Sequence, residues 1–494
     1  LLILLNSKLP LSKMKRRTAS GGLFVLLCFN LGLNAMDYYY PKGQNAVEDL
    51  IDAGTADQEY EETFDHAEKI IPPVSLSSVF RIGSTSKDNH IRNHMVYLDR
   101  MGLTSYLSIT NGYVADFSKE IESGAFQLIQ PARNGFDDRR TINHMLGVKY
   151  IVTPVENEIY LPRDYHVIHR TKGDNAHLVA ETAEAYPFAY AERTVLSEKA
   201  FHKLNPAEKD AFLSVGVVAD QKEVDLKKLN PFRQSLNVQK IPYKATAQDD
   251  NIATVGDDII WVKDKKGSFE LQIKDKEKVE NSELYVHLKG LEFHPEKTQS
   301  IPRDKTSYTA NVAFKNRNKS IFQSDEFSFS TYMFRDKMLF NLGYQDTVQN
   351  EDKIVITFDE PGLYELDDIE LYALPNDVGE KKRLAEKRRN QLKLSVFEND
   401  RIEGSVYQEK DSILTTSIPY AEGWEVTVNG NKVEKIKTNI GFIGLPLEAG
   451  KSEVVFTYRT PLLRTGFVLT LIGLLLVVWN VRRNRKIRQN GFLK

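Results

Sequence analysis

Two apolar runs at opposite ends of the chain, each with its dense cluster of Lys and Arg on one side only, set the strongest limit on what it can fold into. Ala19 to Met36 is uncharged and follows Lys15-Arg16-Arg17; Pro461 to Val481 precedes a tail carrying Arg482, Arg483, Arg485, Lys486, Arg488 and Lys494. About 17–25 apolar residues cross the hydrocarbon core of a bilayer, so both runs predict transmembrane helices, at 19–36 and 461–481. Arg464 can snorkel to the headgroups and Trp479 suits the opposite interface. Asn30 and Asn34 interrupt the first run, and polar side chains of this kind can face a partner helix. Basic flanks stay on the cytoplasmic side. Both charged ends are therefore expected inside the cell and residues 37–459 outside it, in a multi-pass protein of the cell membrane.

The first run has an alternative reading, a cleaved signal peptide starting near Met14. Its length and flank favour a retained helix, and the upstream Leu1-Leu2-Ile3-Leu4-Leu5 reads as the tail of an earlier apolar segment. Residues 1–36 are accordingly expected to end a membrane domain.

The charge of the middle region excludes a further class. Residues 37–459 hold 54 Lys and Arg against 68 Asp and Glu, a net of −14, the wrong sign for a nucleic-acid partner. The single cysteine, Cys28, lies in an apolar run, which rules out a disulfide framework or a Cys-based zinc site.

At 494 residues the chain exceeds one core and predicts several domains. A helical or irregular stalk is expected at 37–78, with Tyr38, Tyr39 and Tyr40 at the membrane interface. Residues 79–235 read as α+β: a strand near Phe80-Arg81-Ile82, a helix from an Asp137 N-cap to Leu146 stopped by Gly147, and a strand from Val148 to Val152. Alternating runs from 242 to 375, among them Ser268–Ile273, Glu283–Leu288, Glu326–Met333 and Lys353–Phe358, predict a β-sandwich. A charged, solvated linker at 376–394 leads to a small β domain at 395–459, before the helix at 461–481 and the basic tail at 482–494. Within the small domain, Trp424–Val428, Asn429-Gly430 and Asn431–Val433 form a hairpin signal, because both turn positions need φ > 0. The fold class expected is an α+β extracytoplasmic domain followed by β-sandwich domains, flanked by two transmembrane helices.

The order Ile418-Pro419-Tyr420, Gly423-Trp424, Val428-Asn429-Gly430, Gly441–Leu445, Val454–Tyr458 and Pro461 resembles the C-terminal domain of the YfhO family of bacterial membrane proteins. Phe80-Arg81-Ile82, Ser105-Tyr106, Ser108 and Gly147–Ile151 also look like that family. The resemblance implies the C-terminal part of a polytopic GT-C-type glycosyltransferase. Such a protein takes sugar from a polyprenyl-phosphate carrier and transfers it to a surface polymer such as lipoteichoic acid. The partners it implies are the membrane, an upstream transmembrane domain of the same protein, a polyprenyl-linked sugar and the polymer. Its catalytic acids belong to loops between earlier helices, so none is assigned to a residue of this chain. The second reading is a non-catalytic, membrane-anchored surface module binding cell-wall glycan or a partner protein.

Candidate binding residues are few. Arg139 and Arg140, after Asp137-Asp138, can hold phosphate, although helix capping explains the acids equally. Tyr420 and Trp424 can stack on a sugar, against a plain role in the hairpin core. His90 and His94, with Asp88 and Asp99 nearby, lack the three or four converging ligands a metal needs. No metal or cofactor is expected.

Overall fold

The computed structural model describes residues 13–39, 54–55, 58, 62–86, 93–104, 111–124, 135–220, 228–247, 250–255, 259–264, 266–295, 307–323 and 335–490. The strand expected at Glu326–Met333, and Asp88, His90, Ser105, Tyr106 and Ser108, lie outside them. The chain divides into two units, Leu1–Glu62 and Thr63–Lys494.

The first unit holds one long helix, Lys13–Tyr39, in which Phe24–Met36 is apolar but shorter than a membrane crossing. Asn30 and Asn34 are one turn apart, and the Asn34 amide donates to the Asn30 carbonyl (3.0 Å) and side-chain oxygen (3.1 Å). Each asparagine thus covers part of the other's polarity along the same helix face.

The second unit is mostly strands in several sheets, with few helices. One sheet orders Arg81–Gly83, Val148–Pro154, His177–Glu181 and His166–Arg170, its first pair parallel and the rest antiparallel. The helix before Val148 is Arg140–Met145, shorter than expected. Asp137 and Asp138 adopt φ of 63° and 58°, because their carboxylates are taken elsewhere instead of capping the helix. Asp137 accepts from the Gly124 amide (2.9 Å), and Asp138 accepts from Ser86 and pairs with Lys319. Gly147 does end the helix, at φ +72°. The expected stalk also differs: Phe64, Ala67 and Ile71 are buried against Phe80, Ile82 and Tyr150.

Segments 79–235 and 395–459, separate in the sequence reading, share a seven-stranded sheet. Ala189–Glu192 pairs with Ser412–Pro419, and Val217–Ala219 bridges to Ile436–Thr438. The hairpin forms as read, Val426 opposite Val433, with Asn429 and Gly430 at φ 51° and 79°. It belongs to a five-stranded sheet with Lys393–Phe397, Arg401–Gln408 and Gly450–Tyr458. Between these segments, residues 239–375 form three further antiparallel sheets whose apolar faces meet in one core, from Phe269 and Leu271 to Val286, Phe340, Ile356 and Leu371. The Glu380–Arg389 helix, read as solvated, is docked through Leu384 and Lys387, both buried.

The last helix runs Leu463–Asn490. Its stretch Leu463–Arg483, 21 residues, is the one helix among those described that is long and apolar enough to cross a membrane. At 1.5 Å per residue it spans about 31 Å, matching a hydrocarbon core of about 30 Å. Phe467, Leu474, Leu475 and Trp479 are all exposed along it.

Candidate functional site

The four residues singled out by sequence do not converge. Arg139 is wholly buried: Nε donates to Asp210 Oδ2 (2.9 Å), Nη2 to Asp210 Oδ1, and Nη1 to the Ile121 carbonyl (2.5 Å). Burial alone would lower its pKa, but the Asp210 charge and hydrogen bonds outweigh this and hold it above the usual arginine value. The Tyr285 hydroxyl lies 3.0 Å from Asp210 Oδ2 and 2.7 Å from Glu283 Oε2, its one proton serving the two carboxylates between them. Arg140 bonds Asp164 (2.7 Å) and Glu380 (2.8 Å). Arg139 thus commits Nε, Nη1 and Nη2 within the fold, and Arg140 commits Nη1 to two carboxylates. The two arginines clamp helices to a sheet, and Arg139 has no fork left for phosphate.

Tyr420 and Trp424 sit in aromatic packing. Tyr420 lies edge-on to Tyr113 (4.8 Å between ring centres), with Lys435 Nζ over its ring at 5.1 Å. Trp424 is edge-on to Tyr458 (5.2 Å) and Phe456 (6.5 Å), against the core of the small sheets. His94 packs edge-on against Phe64 (5.6 Å).

Among the described residues one metal-type group converges, Glu292, His294 and Glu365, all exposed, with ligand atoms within 4.8 Å of one another. Glu292 and His294 alternate along one strand, and Glu365 stands directly across from Glu292. Nothing local in the chain marks the trio, because the register pairs Glu292 with a residue 73 positions further on. His294 lies 3.5 Å from Glu365, the contact of an exposed ion pair when the ring is protonated.

The feature with most chemical content is a cleft of about 480 Å³ that sequence reading missed. One wall comes from two helix ends. The Gly112–Glu120 helix starts on Asn111, whose side chain accepts from the Tyr113 amide (2.9 Å), and it ends by presenting Lys119, Glu120 and Glu122. The Pro206–Val215 helix starts on a capping box between Asn205 and Glu208 and carries Lys209 beside His202 and Lys203. The other wall is one end of a sheet in which Lys337–Gln345, Ser282–Lys289 and Asp368–Pro375 lie side by side, supplying Lys337, His287, Lys289 and Glu370. Arg335 enters just before the first of these strands.

Inside the cleft most acids are already engaged. Glu120 pairs with Lys209 (2.9 Å) and His202 (2.7 Å), and Glu122 contacts His287 Nε2 (2.7 Å). Burial pushes the Glu122 carboxyl up, but His287, Lys209 and Lys337 more than reverse this and leave it below the usual range. Glu370 is likewise penalised by burial and still brought down to about 2 by Lys240, Tyr372 and Lys289. Arg335 is buried, with no hydrogen-bond partner at Nε or Nη2 among the described residues. Burial pushes its guanidinium down to about 10, against weaker opposing pulls from Asp137 and Glu122.

A strand-rich body that runs directly into an apolar, membrane-length helix with a basic end is the arrangement of a membrane-anchored protein. The chain belongs to the YfhO family: the family described as "Bacterial membrane protein YfhO" matches residues 1–470. The uncharacterized protein YfhO of Bacillus subtilis (strain 168) is 24% identical over 405 residues, covering 80% of this chain and 43% of the relative. The chain thus spans less than half the length of that relative. The arabinofuranosyltransferase AftD from Mycobacteria aligns with 63% of this chain and 29% of its own at 9% identity, with a TM-score of 0.16. A mutant form of AftD gives 0.15 at the same identity. Likeness at that level carries no weight for fold or function.

Proposed function

We propose that this chain is the C-terminal part of a polytopic, GT-C-type glycosyltransferase that moves sugar from a polyprenyl-phosphate carrier to a surface polymer such as lipoteichoic acid. Residues 37–459 lie outside the membrane, with the strands of 242–375 as a sandwich, and both basic ends remain in the cytoplasm. The catalytic acids reside in the preceding membrane domain. The region described here presents the acceptor to it. The observation that carries this reading is the family match over residues 1–470, together with the apolar helix Leu463–Arg483 and its basic end. The engagement of Arg139, Arg140, Tyr420 and Trp424 within the fold supports a presenting role over a catalytic one.

The test uses membranes containing the full-length protein, a polyprenyl-phosphate-linked radiolabelled sugar and purified lipoteichoic acid. Label should enter the polymer, and it should not do so with purified 37–459 alone. Turnover by 37–459 alone would overturn the placement of catalysis. Unlabelled polymer with the full-length protein would leave the surface-module reading in its place.

A further inference from the structure

The cleft beside Arg335 is electrostatically at odds with its surroundings. Six Lys and Arg line it against four carboxylates, within a region, 37–459, whose net charge is −14. Glu120 and Glu370 already pair with lysines, and Glu122 contacts His287. Lys119, Lys203, Arg335 and Lys337 make no ion pair with a described residue.

Two features raise the energy of the protein unless an anion is present. A buried guanidinium whose Nε and Nη2 lack acceptors among the described residues bears a desolvation penalty that the nearby Asp137 and Glu122 charges offset only in part. Lys289 and Lys337 stand directly opposite each other across an antiparallel pair, where like charges repel. An anion in the cleft relieves both at once, and low-dielectric walls strengthen its attraction.

We infer that this cleft is a binding site for a phosphate ester, held by Arg335, Lys337 and Lys203, with Lys119 and Lys289 adding positive potential. Four cations with no ion pair among the described residues exceed what the one remaining carboxylate, Asp336, neutralises, and lysine ammonium groups serve phosphate oxygens as point charges. A volume of about 480 Å³ leaves room for the polyol or sugar that carries the phosphate. The inference rests on the proposed function only for the identity of that carrier, an anionic acceptor polymer. The acidic remainder of the region then repels the polymer everywhere except at this cleft.

The experiment titrates the full-length protein in neutral-lipid nanodiscs with inorganic phosphate, glycerol 3-phosphate and acetate at constant ionic strength, by calorimetry. Arg335→Gln and the double variant Lys203→Gln/Lys337→Gln should each weaken glycerol 3-phosphate binding at least tenfold. Arg335→Lys should stay within threefold, and Lys381→Gln/Lys382→Gln, on the exposed face of the Glu380–Arg389 helix, should change nothing. Repeating the titration in phosphatidylglycerol nanodiscs identifies the source: binding lost there means lipid headgroups fill the site, and binding retained means a soluble or polymeric ester does. Lys203 and Lys337 are exposed, so their double variant decides the matter if Arg335→Gln does not fold. Unchanged affinity in the double variant, or acetate competing as well as phosphate, overturns the inference. Sugar transfer is not read, so this result and that of the transfer assay fail separately.

Discussion

Arg139 and Asp210 face each other with neither side chain reaching solvent, the guanidinium Nε donating to Oδ2 at 2.9 Å and Nη2 to Oδ1. The pair joins the short Arg140–Met145 helix to the Pro206–Val215 helix, and through Tyr285 it reaches the sheet beneath. Removing one partner strands the other as a buried charge. Asp210→Ala should therefore destabilise the protein by about 3–5 kcal/mol. Replacing both, as Arg139→Met/Asp210→Leu, should cost clearly less than the sum of the single changes. Urea unfolding of the wild type, two singles and the double measures this; additive losses would show that the two groups do not act as a pair.

His144 gives the fold an acid-sensitive point. It is fully buried beside Tyr165 (6.0 Å) and Tyr186 (6.1 Å), and neither ring nitrogen has a hydrogen-bond partner among the described residues. Burial, helped by the Arg140 charge, lowers its pKa from 6.5 to about 3. The unfolded chain takes up that proton near pH 6.5 while the folded one refuses it until about pH 3. Stability is thus full above pH 6.5 and falls as pH drops toward 3, by up to about 1.4 kcal/mol per unit. His144→Phe should flatten that part of the curve in thermal melts taken from pH 7 to 4.

The hairpin turn depends on two left-handed residues, Asn429 and Gly430. Gly430→Ala should lower stability by about 1 kcal/mol, since a Cβ is strained at φ 79°. Asn429→Gly should be close to neutral. A melt showing no loss for Gly430→Ala would mean the turn relaxes to another type.

Lys387 is buried in a helix otherwise lined with exposed cations, 3.0 Å from Glu192 and within cation–π range of Tyr186 (5.3 Å) and Tyr190 (5.0 Å). Lys387→Met should cost about 1–3 kcal/mol by leaving the Glu192 carboxylate without its charge partner. Lys381→Met on the exposed face should change stability by less than about 0.5 kcal/mol. Equal effects at the two positions would argue against docking of this helix.

Topology has its own measurement. A reporter fused after Lys494 should stay inaccessible from outside the cell, while a tag in the exposed Asn429-Gly430 turn should be labelled by an impermeant reagent. Labelling of the C-terminal fusion would reverse the assigned orientation.

Local rules carried the sequence reading where neighbours in the chain make the structure. The Asn-Gly hairpin, the Gly147 helix stop and the membrane-length C-terminal helix all depend on residues a few positions apart. They failed where a distant group competed for the same side chain. Asp137 carries the marks of an N-cap, yet its carboxylate is held by Gly124, and Asp138 is drawn to Ser86 and Lys319. Lys387 lies in a run whose charge predicts solvation, and only the Tyr186 and Tyr190 rings show why one of its lysines is buried.

The sequence by itself determined that the protein meets a membrane and which family it resembles, because hydrocarbon acts on contiguous residues. Tertiary structure alone decided that Arg139 and Arg140 are structural and that Lys119, Lys203, Arg335 and Lys337 share a cleft. Those four come from three segments spread over residues 119–337, and their shared positive field exists only once folding brings them together.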